Sequence, residues 1–458
     1  MLSAVALSRG PDSTFFSDAE RHHALSFWSQ RGRFRVEAAK EAFTKGPWVV
    51  RLSPEGSAWL YKLDSARGLL KGSQPDPNLP SADVQRTWTT WISRRIAYDR
   101  FLAGKAAQEA NSRVSRKSVV AVKPVEDPGA APATLIAMAG EAPSFASAVV
   151  PNHYEIRFDD GKVVSVADNP LMRADYPYYR FPQGVMWAGT PVKSMPVDDL
   201  KALFDQAGVT PSEQNVMKAV STLEGGFDSV NTYDTGYVSV GMIQFACLSK
   251  GAGSLGQVLL KQKQRYPESF EKDFRQYGVD VSPAGSLVVL DLDSERVLEG
   301  ASAAKAIIND KRLASIFEHA GQTSRAFRVA QLMIAKQEYY PSEDALAVKV
   351  NGEVIEGKVG DFVHSEAAMA TLMDRKVNTG NLDPLPWVLA RVAQQRNCHS
   401  PEDFAPHERE VVAALTLRKN YLEEAGLTQP VEFRREASLT SRHSSRRTRK
   451  SSSVKLSR

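Results

Sequence analysis

The most informative stretch of the chain is residues 210–245, which read TPSEQNVMKAVSTLEGGFDSVNTYDTGYVSVGMIQF. It opens with a capping box at Thr210, in which a proline holds the first helical position and a glutamate follows three residues after the cap. Apolar residues then recur at helical spacing. The pattern predicts a helix that ends at Glu224, where two consecutive glycines break it.

The position of Glu224 at a helix carboxyl end bears on its protonation. Unpaired carbonyl groups make that end negative, which disfavours the ionised side chain by about 0.3 to 1 kcal/mol and raises its pKa only slightly. The apolar neighbours Leu223 and Phe227 predict desolvation, which raises the pKa further. A glutamate that stays protonated near neutral pH is suited to general acid catalysis. The alternative is a solvated helix end with no chemical role.

The residues after the glycines predict a tight hairpin. Residues 231–241 alternate turn formers with aromatic and β-branched residues. A hairpin that folds back over the helix end would bring Asp234 and Ser239 across a cleft from Glu224. Hydrolysis of a glycosidic bond uses two carboxyl groups, one as the acid and one as the base or nucleophile. Asp234 fits the second role, and Ser239 is placed to hold a water molecule.

The same residues resemble a known family. A Glu-Gly pair followed by Tyr-Asp-Thr-Gly-Tyr-Val-Ser-Val-Gly is similar to the phage-type lysozymes, where a helix-ending Glu precedes a hairpin with an Asp and a hydroxyl residue. Residues 241–245, Gly-Met-Ile-Gln-Phe, resemble the Gly-Leu-Met-Gln stretch of goose-type lysozymes and lytic transglycosylases. All belong to the lysozyme-like superfamily. The motifs cover residues 223–245, and the helix pattern alone extends the resemblance over the rest of the predicted domain.

The resemblance implies a role for each matching residue. Glu224 corresponds to the general acid, Asp234 to the second carboxylate, displaced by one position, and Ser239 stands where phage-type enzymes have Thr. Gln244 corresponds to the cleft-lining Gln. Lytic transglycosylases usually place Ser after the catalytic Glu and carry a later Tyr-Asn motif. Gly225 follows here and no clear copy of that motif is present, so the resemblance favours hydrolysis over transglycosylation.

Other side chains are candidates for holding the glycan. Two belong to the hairpin, two end a helix before a proline, and two resemble the polar far wall of chitosanase-like clefts. They are Tyr233, Tyr237, Tyr339, Tyr340, Asp374 and Asn378. The alternatives are aromatic packing for the tyrosines and a solvated helix face for the polar pair.

The predicted fold class is α+β: a mostly helical lysozyme-like domain with a small β-hairpin lobe, an N-terminal α+β domain and a disordered basic tail. The predicted divisions are a Trp-rich domain over 1–120, a Pro/Ala/Gly-rich linker over 121–145, a strand-rich segment over 146–195, the catalytic domain over 196–426 and a Ser/Arg-rich tail over 427–458. Five of the seven tryptophans lie in the first unit. Core packing is their expected role, and a glycan-binding module is the alternative.

Periodicity and turn residues also predict the individual elements. Strands are expected at 47–63, as a short pair, and in hairpins at 153–167 and 287–298. The predicted helices cover 81–110, 197–207, 211–224, 254–266, 301–320, 324–340, 365–378 and 406–425.

Charge and composition limit the partners. The chain has 458 residues, is 42% hydrophobic and 24% charged, and is therefore typical of a globular protein. Its net charge is +5, but residues 434–458 alone carry +8, so the rest carries −3. The basicity belongs to the tail, which predicts at most weak, salt-dependent contacts with phosphates and no dedicated nucleic-acid surface.

No cofactor or metal is predicted. Cys247, Cys398 and the eight histidines show no metal-ligand spacing, and a buried thiol is the expected state of Cys247. Residues 251–256 spell the Gly-x-Gly-x-x-Gly pattern of dinucleotide loops. That function would need a parallel strand before the loop, whereas the preceding residues belong to the predicted hairpin region.

Together these features predict a glycoside hydrolase that cleaves a β-1,4-linked amino-sugar polymer, with peptidoglycan as the first choice, and thus a bacteriolytic muramidase. The absence of a recognisable signal peptide or membrane span predicts a cytoplasmic protein that is released or delivered to the cell wall. The alternative from another class is a non-catalytic glycan-binding or structural protein of a phage or injection particle. A nucleotide-binding enzyme is a third possibility.

Overall fold

The computed structural model describes residues 15–37, 48–70, 73–115, 123–168, 181 and 183–431. The described residues are 52% helical and 15% strand, and their strands form several small sheets rather than one large sheet, which agrees with the predicted α+β class. No helix in the described ranges is both long enough and apolar enough to cross a membrane.

The helices of the described residues follow the predicted pattern most closely after residue 196. They are Asp18–Ser29, Pro54–Ala66, Ala82–Ser115, Ala133–Ala139, Val197–Gln206, Pro211–Glu224, Ser254–Arg265, Pro267–Asp273, Ala301–Asn309, Lys311–Thr323, Arg325–Ile334, Val359–Phe362, Glu366–Thr379, Leu385–Arg396 and Glu408–Leu415. Short 3₁₀ segments are Val192–Ser194, Arg275–Tyr277, Pro401–His407 and Tyr421–Glu423, and Ala335–Tyr339 forms a π turn.

The strands pair antiparallel throughout. One sheet orders Phe34–Glu37, His153–Arg157 and Val163–Ala167; a second orders Val279–Val281, Leu287–Leu290 and Val297–Glu299; a third pairs Ala345–Val350 with Glu353–Lys358; and a fourth pairs Val49–Leu52 with Ala146–Val149. The sheet beside the cleft orders Met186–Trp187, Val230–Asn231, Ser239–Val240 and Phe245–Ala246.

Residues 15–37 pack with the later domain rather than with the predicted N-terminal unit. Strand Phe34–Glu37 pairs with His153–Arg157, and Trp28 Nε1 donates to the Tyr277 carbonyl at 2.9 Å. Phe27 and Trp28 lie in the main hydrophobic core. The predicted 1–120 unit is therefore divided, because strand pairing joins its first part to a segment more than one hundred residues later.

A second core, called here the Trp core, forms mainly from residues 52–145 and also includes Tyr233. Trp59, Trp88 and Trp91 are buried in it, as expected for packing aromatics. The predicted linker contributes Leu135, which is fully buried on the helix Ala133–Ala139, and Trp88 Nε1 donates to Thr134 Oγ1 at 2.9 Å. This segment differs from a free linker because its apolar helix face packs on the tryptophans despite its Pro/Gly-rich composition.

Local capping explains where element boundaries differ from the prediction. The expected strand pair before residue 63 is one strand and then a helix, since Ser53 Oγ accepts from the Gly56 amide at 2.9 Å at the helix start. The expected helix over 301–320 is broken at Asp310, which accepts from the Arg312 amide at 2.8 Å and caps a second helix. The predicted helix over 406–425 is reduced to Glu408–Leu415 between 3₁₀ segments.

The helix Pro211–Glu224 has the predicted boundaries and cap. The Thr210 amide donates to the Glu213 carboxylate at 2.8 Å, and the Glu213 amide donates back to Thr210 Oγ1 at 3.4 Å. Gly225 ends the helix with φ at +145°, which favours glycine. A Cβ on Gly226 would clash with the Thr190 carbonyl. The two glycines therefore let the backbone around Thr190 pack directly on the helix end.

The loop with the dinucleotide-like spelling has a different geometry. The strand before it, Phe245–Ala246, pairs antiparallel with Ser239–Val240. Gly253 caps the following helix, and a Cβ there would clash with the Ala246 carbonyl. Gly253 thus allows the helix start to pack against the preceding strand, while Gly251 and Gly256 allow close approach of the backbone at Gly300 and Gly285. Cys247 is fully buried, and burial raises the pKa of its thiol to about 12, as expected for a packed cysteine.

The end of the predicted catalytic domain extends slightly into the predicted tail. The Thr428 amide donates to the Glu366 carboxylate at 2.9 Å, and Leu427 is buried in the main core. Thr428 thus contacts the start of the helix that begins at Glu366, whereas Val431 is exposed. The remainder of the predicted tail, 432–458, lies outside the described residues.

Candidate active site

A cleft of about 460 Å³ opens at the end of the helix Pro211–Glu224. Its walls come from this helix end, from the strand Met186–Trp187 and from the hairpin that follows the two glycines. Among the residues predicted for a site, it brings together Glu224, Asp234, Ser239, Tyr233, Gln244 and Asn378. The volume lies within the range of about 300 to 1,000 Å³ that is typical of ligand sites.

Glu224 is almost buried at the cleft wall, with its side chain 10% exposed. Burial raises the pKa of Glu224 above its ordinary value, and the Arg418 guanidinium partly offsets that rise. The nearby Asp374 carboxylate adds to the rise. The side chain therefore holds its proton to a higher pH than a solvated glutamate does, in a position open to a ligand.

Polar groups from two distant segments surround Glu224. Arg418 Nη2 donates to Glu224 Oε1 and to Asp374 Oδ1, and its Nε donates to Asp374 Oδ1 at 3.0 Å. Asn378 Nδ2 lies 3.5 Å from Glu224 Oε1 and donates to the Asp374 carbonyl at 2.8 Å. Asp374 is 1% exposed, so it lies behind the cleft wall and holds Arg418 in place rather than lining the cleft.

The hairpin contributes a second carboxylate and a hydroxyl to the cleft. The Asp234 carboxylate accepts from Asn231 Nδ2 and from the Gly236 amide, both at 2.8 Å, and these bonds fix its orientation. Ser239 lies on a strand and is largely buried. A Cβ at Gly236 would clash with Ser239 Oγ and lie 3.0 Å from Asp234 Oδ1. The two oxygens therefore converge beside Gly236, where only a residue without a side chain fits.

Gln244 has a positive φ of 55°, and its amide nitrogen is turned toward the protein. Nε2 donates to Ser229 Oγ at 2.7 Å and to the Gly241 carbonyl at 3.3 Å. Behind it, the fully buried Gln331 donates to the Phe227 carbonyl at 2.9 Å and accepts from the Met242 amide at 3.1 Å. Gln331 thus joins the helix end to the hairpin.

Three of the predicted glycan-binding tyrosines do not line this cleft. Tyr237 is 6% exposed, and its ring packs on Phe181 at a centroid distance of 4.9 Å. Tyr339 packs on Phe245 and lines a neighbouring cavity. Tyr340 is half-buried, and burial together with the charges of nearby glutamates raises its pKa to about 12. Tyr237 belongs to the main hydrophobic core and Tyr340 packs against it, which agrees with the packing alternative for both.

The cleft also contains residues that the sequence did not indicate. Arg418 contacts Glu224 from 194 positions later in the chain. Trp187 is 42% exposed at the cleft wall on a strand that pairs with Val230. Neither residue lies in a local pattern, because each reaches the cleft through long-range packing. The sequence alone therefore could not place Trp187 in the same cleft as Glu224, because this placement follows from the strand pairing.

Comparison with known proteins finds no matching family model, no matching curated protein and no matching solved structure. A function for the chain therefore has to be inferred from the chemistry of the cleft.

Proposed function

We propose that the chain is a glycoside hydrolase that cleaves a β-1,4-linked amino-sugar polymer, with peptidoglycan as the first substrate to test. The observation that carries this proposal is Glu224: a nearly buried carboxyl group with a raised pKa, in a cleft that also contains Asp234 and Ser239. Two carboxyl groups with different surroundings in one cleft are what acid-catalysed glycoside hydrolysis requires.

In this mechanism the two carboxyl groups act on opposite sides of the scissile bond. Protonated Glu224 gives its proton to the glycosidic oxygen as the bond from that oxygen to the anomeric carbon breaks. A water held by Asp234 and Ser239 attacks the anomeric carbon, and its proton passes to Asp234. Trp187 offers an exposed aromatic face for a sugar ring. Arg418 and Asn378 orient Glu224 by donating to its Oε1 atom. After the proton transfer, the same two donors stabilise the Glu224 carboxylate.

One observation favours a second candidate function, a cleft that binds glycan without cleaving it. Arg418 donates directly to Glu224 Oε1, and an ion pair of this kind stabilises the ionised form of Glu224. The ionised form has no proton to give and cannot act as an acid. Burial and Arg418 thus act on the pKa in opposite directions, with burial the larger effect. The two candidate functions predict the same cleft and differ in turnover.

The test is the release of reducing ends from purified peptidoglycan by the wild-type chain and by Glu224→Gln. We expect Glu224→Gln to lower the rate by about 10² to 10⁴, the usual contribution of general acid catalysis. The matched control is Glu268→Gln, on an exposed helix position outside the cleft, and its rate should equal that of the wild type.

The possible outcomes separate the candidates. Equal rates for the wild type and Glu224→Gln would remove Glu224 from the mechanism. No hydrolysis of peptidoglycan, chitin or chitosan by the wild type, together with measurable binding to one of them, would favour the glycan-binding function. A rate for Asp234→Asn close to that of the wild type would remove Asp234 from the role of base or nucleophile.

A further inference from the structure

Arg375 is a buried cation that the mechanism above does not use. It lies on the helix Glu366–Thr379 and is 9% exposed. Its Nη1 donates to the Asp383 carbonyl and its Nη2 to the Leu415 carbonyl, both at 2.8 Å, and it forms no ion pair within the described part of the chain. Its Nε is also buried and has no hydrogen-bond partner among the same residues. A charge and a donor left unpaired in the interior both cost stability, which points to a role in joining segments.

One of the segments that Arg375 holds leads directly to the cleft. Leu415 is 1% exposed and ends the helix Glu408–Leu415. The chain returns to the main hydrophobic core at Tyr421, which is fully buried. Between these anchors, residues 416–420 form neither helix nor strand and are called here the Arg418 loop. Because so short a loop allows little slack, the place of Arg418 depends on where the two ends of the loop are held.

Neighbouring positions of the helix Glu366–Thr379 hold the side chain of Arg418 and the start of its loop. The Asp374 carboxylate accepts from the Arg418 guanidinium, whose Nε lies 3.0 Å from Asp374 Oδ1. The next residue, Arg375, holds the backbone at Leu415, three positions before Arg418. One rigid helix thus fixes both the guanidinium group and the backbone that leads to it.

The position of Arg418 matters because of its contact with Glu224. Arg418 Nη2 donates to Glu224 Oε1. Burial raises the pKa of Glu224 and the Arg418 guanidinium lowers it, so the distance between the two groups decides how far the rise is offset. The titratable or charged groups that face Glu224 from the surrounding elements are Arg418, Asp374, Asp234, Tyr339 and Tyr421. Arg418 is the only cation among these groups, so no other member of the set would replace it.

We propose that Arg375 is a positioning residue for Glu224: it fixes the start of the Arg418 loop and thereby holds the Arg418 guanidinium against the Glu224 carboxyl group. The link to catalysis rests on the proposed function, in which Glu224 is the general acid. Arg375 itself does not line the cleft. Without the Arg375 fork, the loop would gain freedom at its start and Arg418 would spend less time beside Glu224. The acid would then keep its proton to higher pH.

The experiment measures the titration of Glu224 directly, by NMR of the full chain with isotope-labelled glutamate carboxyl carbons. Glu224→Gln identifies the Glu224 signal by its absence. The wild type is compared with Arg375→Met, Arg418→Met and the double variant. We expect Arg375→Met to shift the titration to higher pH by about half of the Arg418→Met shift or more, and to add nothing in the double variant. A purely structural role would lower stability without this dependence on Arg418.

Arg328→Met is the matched control for the loss of a partly buried arginine. Arg328 also donates to two backbone carbonyls, those of Gly321 and Gln322, and it lies outside the cleft. This variant loses contacts of the same kind as Arg375→Met, but none that leads to Arg418. The titration of Glu224 should therefore equal that of the wild type.

A glycine inserted between Thr416 and Leu417 tests the same inference without removing a buried group. Both residues are exposed, so the insertion lengthens the Arg418 loop and leaves the anchor at Leu415 in place. The longer loop should shift the titration of Glu224 to higher pH, as Arg375→Met does. This variant decides the test where Arg375→Met does not fold.

A Glu224 titration equal to that of the wild type in Arg375→Met, or in the insertion variant where Arg375→Met does not fold, would overturn the inference. A shift that persists in full in the double variant would overturn it as well, because Arg375 would then act without Arg418. The titration needs no substrate, so it is decided apart from hydrolysis. Hydrolysis of peptidoglycan by the wild type with no titration shift in Arg375→Met refutes this inference alone. The expected shifts without hydrolysis by the wild type refute the hydrolase proposal alone.

Discussion

Two buried glutamates on different helices show how similar burial leads to different roles. Glu224 ends its helix at a cleft, contacts the Arg418 guanidinium and keeps 10% of its side chain exposed. Glu318 lies within the helix Lys311–Thr323, is 4% exposed and accepts one hydrogen bond, from Gln322 at 3.1 Å. Burial raises the pKa of both. Access to a ligand and a cationic partner, rather than the raised pKa alone, distinguish a candidate catalytic acid from a structural one.

The surroundings of Glu318 make it a candidate pH sensor. Burial first, and then the charge of the neighbouring Asp228, raise the pKa of Glu318 to about 8. Its Oε2 atom accepts no hydrogen bond from the described residues. The Asp228 carboxylate is engaged by the Thr190 amide at 2.7 Å and by Thr190 Oγ1 at 3.1 Å. Ionisation of Glu318 therefore places a second negative charge in a closed environment.

The largest expected effect is on the pH dependence of stability, measured by urea unfolding of wild type and Glu318→Gln. Because the pKa rises from 4.5 when unfolded to about 8 when folded, the folded chain holds an extra proton between these values. The free energy of unfolding should then fall as the pH rises from about 4.5 to 8, by on the order of 4 kcal/mol. Glu318→Gln should remove most of this slope, while Glu268→Gln should retain it. An unchanged slope in Glu318→Gln would show that Glu318 does not titrate in this range.

The second-largest expected effect concerns Arg418, the cationic partner that distinguishes Glu224 from Glu318. Arg418→Met leaves the buried Asp374 without its ion partner, and this should lower the free energy of unfolding by about 3 kcal/mol. Since the guanidinium lowers the pKa of Glu224, its removal should also move the alkaline limb of the activity profile to higher pH. The measurements are urea unfolding and rate against pH. Arg409→Met, in the helix Glu408–Leu415 and exposed, is the control.

An alkaline limb at the same pH in wild type and Arg418→Met would show that Arg418 does not act on the catalytic proton. Its effect would then be structural only, and the contrast between the two glutamates would rest on exposure alone.

The smallest effect tests whether the helix that presents Glu224 is held by its own cap. Thr210→Ala removes the acceptor for the Glu213 amide and should lower the free energy of unfolding by about 1 kcal/mol with little change in rate. Ser212→Ala, an exposed position of the same turn, is the control and should be nearly neutral. A large loss of activity with Thr210→Ala would show that the whole helix must be rigid to position the acid.

Short-range signals were sufficient for the helix and hairpin of the candidate site. The capping box, the apolar spacing and the glycine pair are local, so they predicted the helix Pro211–Glu224 with its observed bounds. Turn residues in the same way predicted the return strand at Ser239. These features depend on contacts within a few residues, which a sequence displays directly.

Long-range packing carries what the sequence did not indicate. Arg418 and Gln331 reach the site from more than one hundred residues away, and no local pattern marks either of them. The pairing of strand Phe34–Glu37 with His153–Arg157 likewise divides the predicted N-terminal unit. Such contacts depend on how distant surfaces pack together, and the spacing of residues in the sequence does not reveal this packing.

The hairpin of the cleft is also anchored on its outer side. Tyr233 lines the cleft next to Asp234, yet its side chain is 5% exposed because it belongs to the Trp core, against which Met186 packs as well. Lifting the hairpin would expose a large aromatic side chain, at a cost of about 3 kcal/mol or more. For the proposed hydrolase we therefore expect the polymer to enter from the ends of the cleft rather than from beneath a raised hairpin. Mechanical stress on the tryptophan-rich part of the chain would be transmitted through Tyr233 to Asp234, the next residue in the chain and part of the cleft wall.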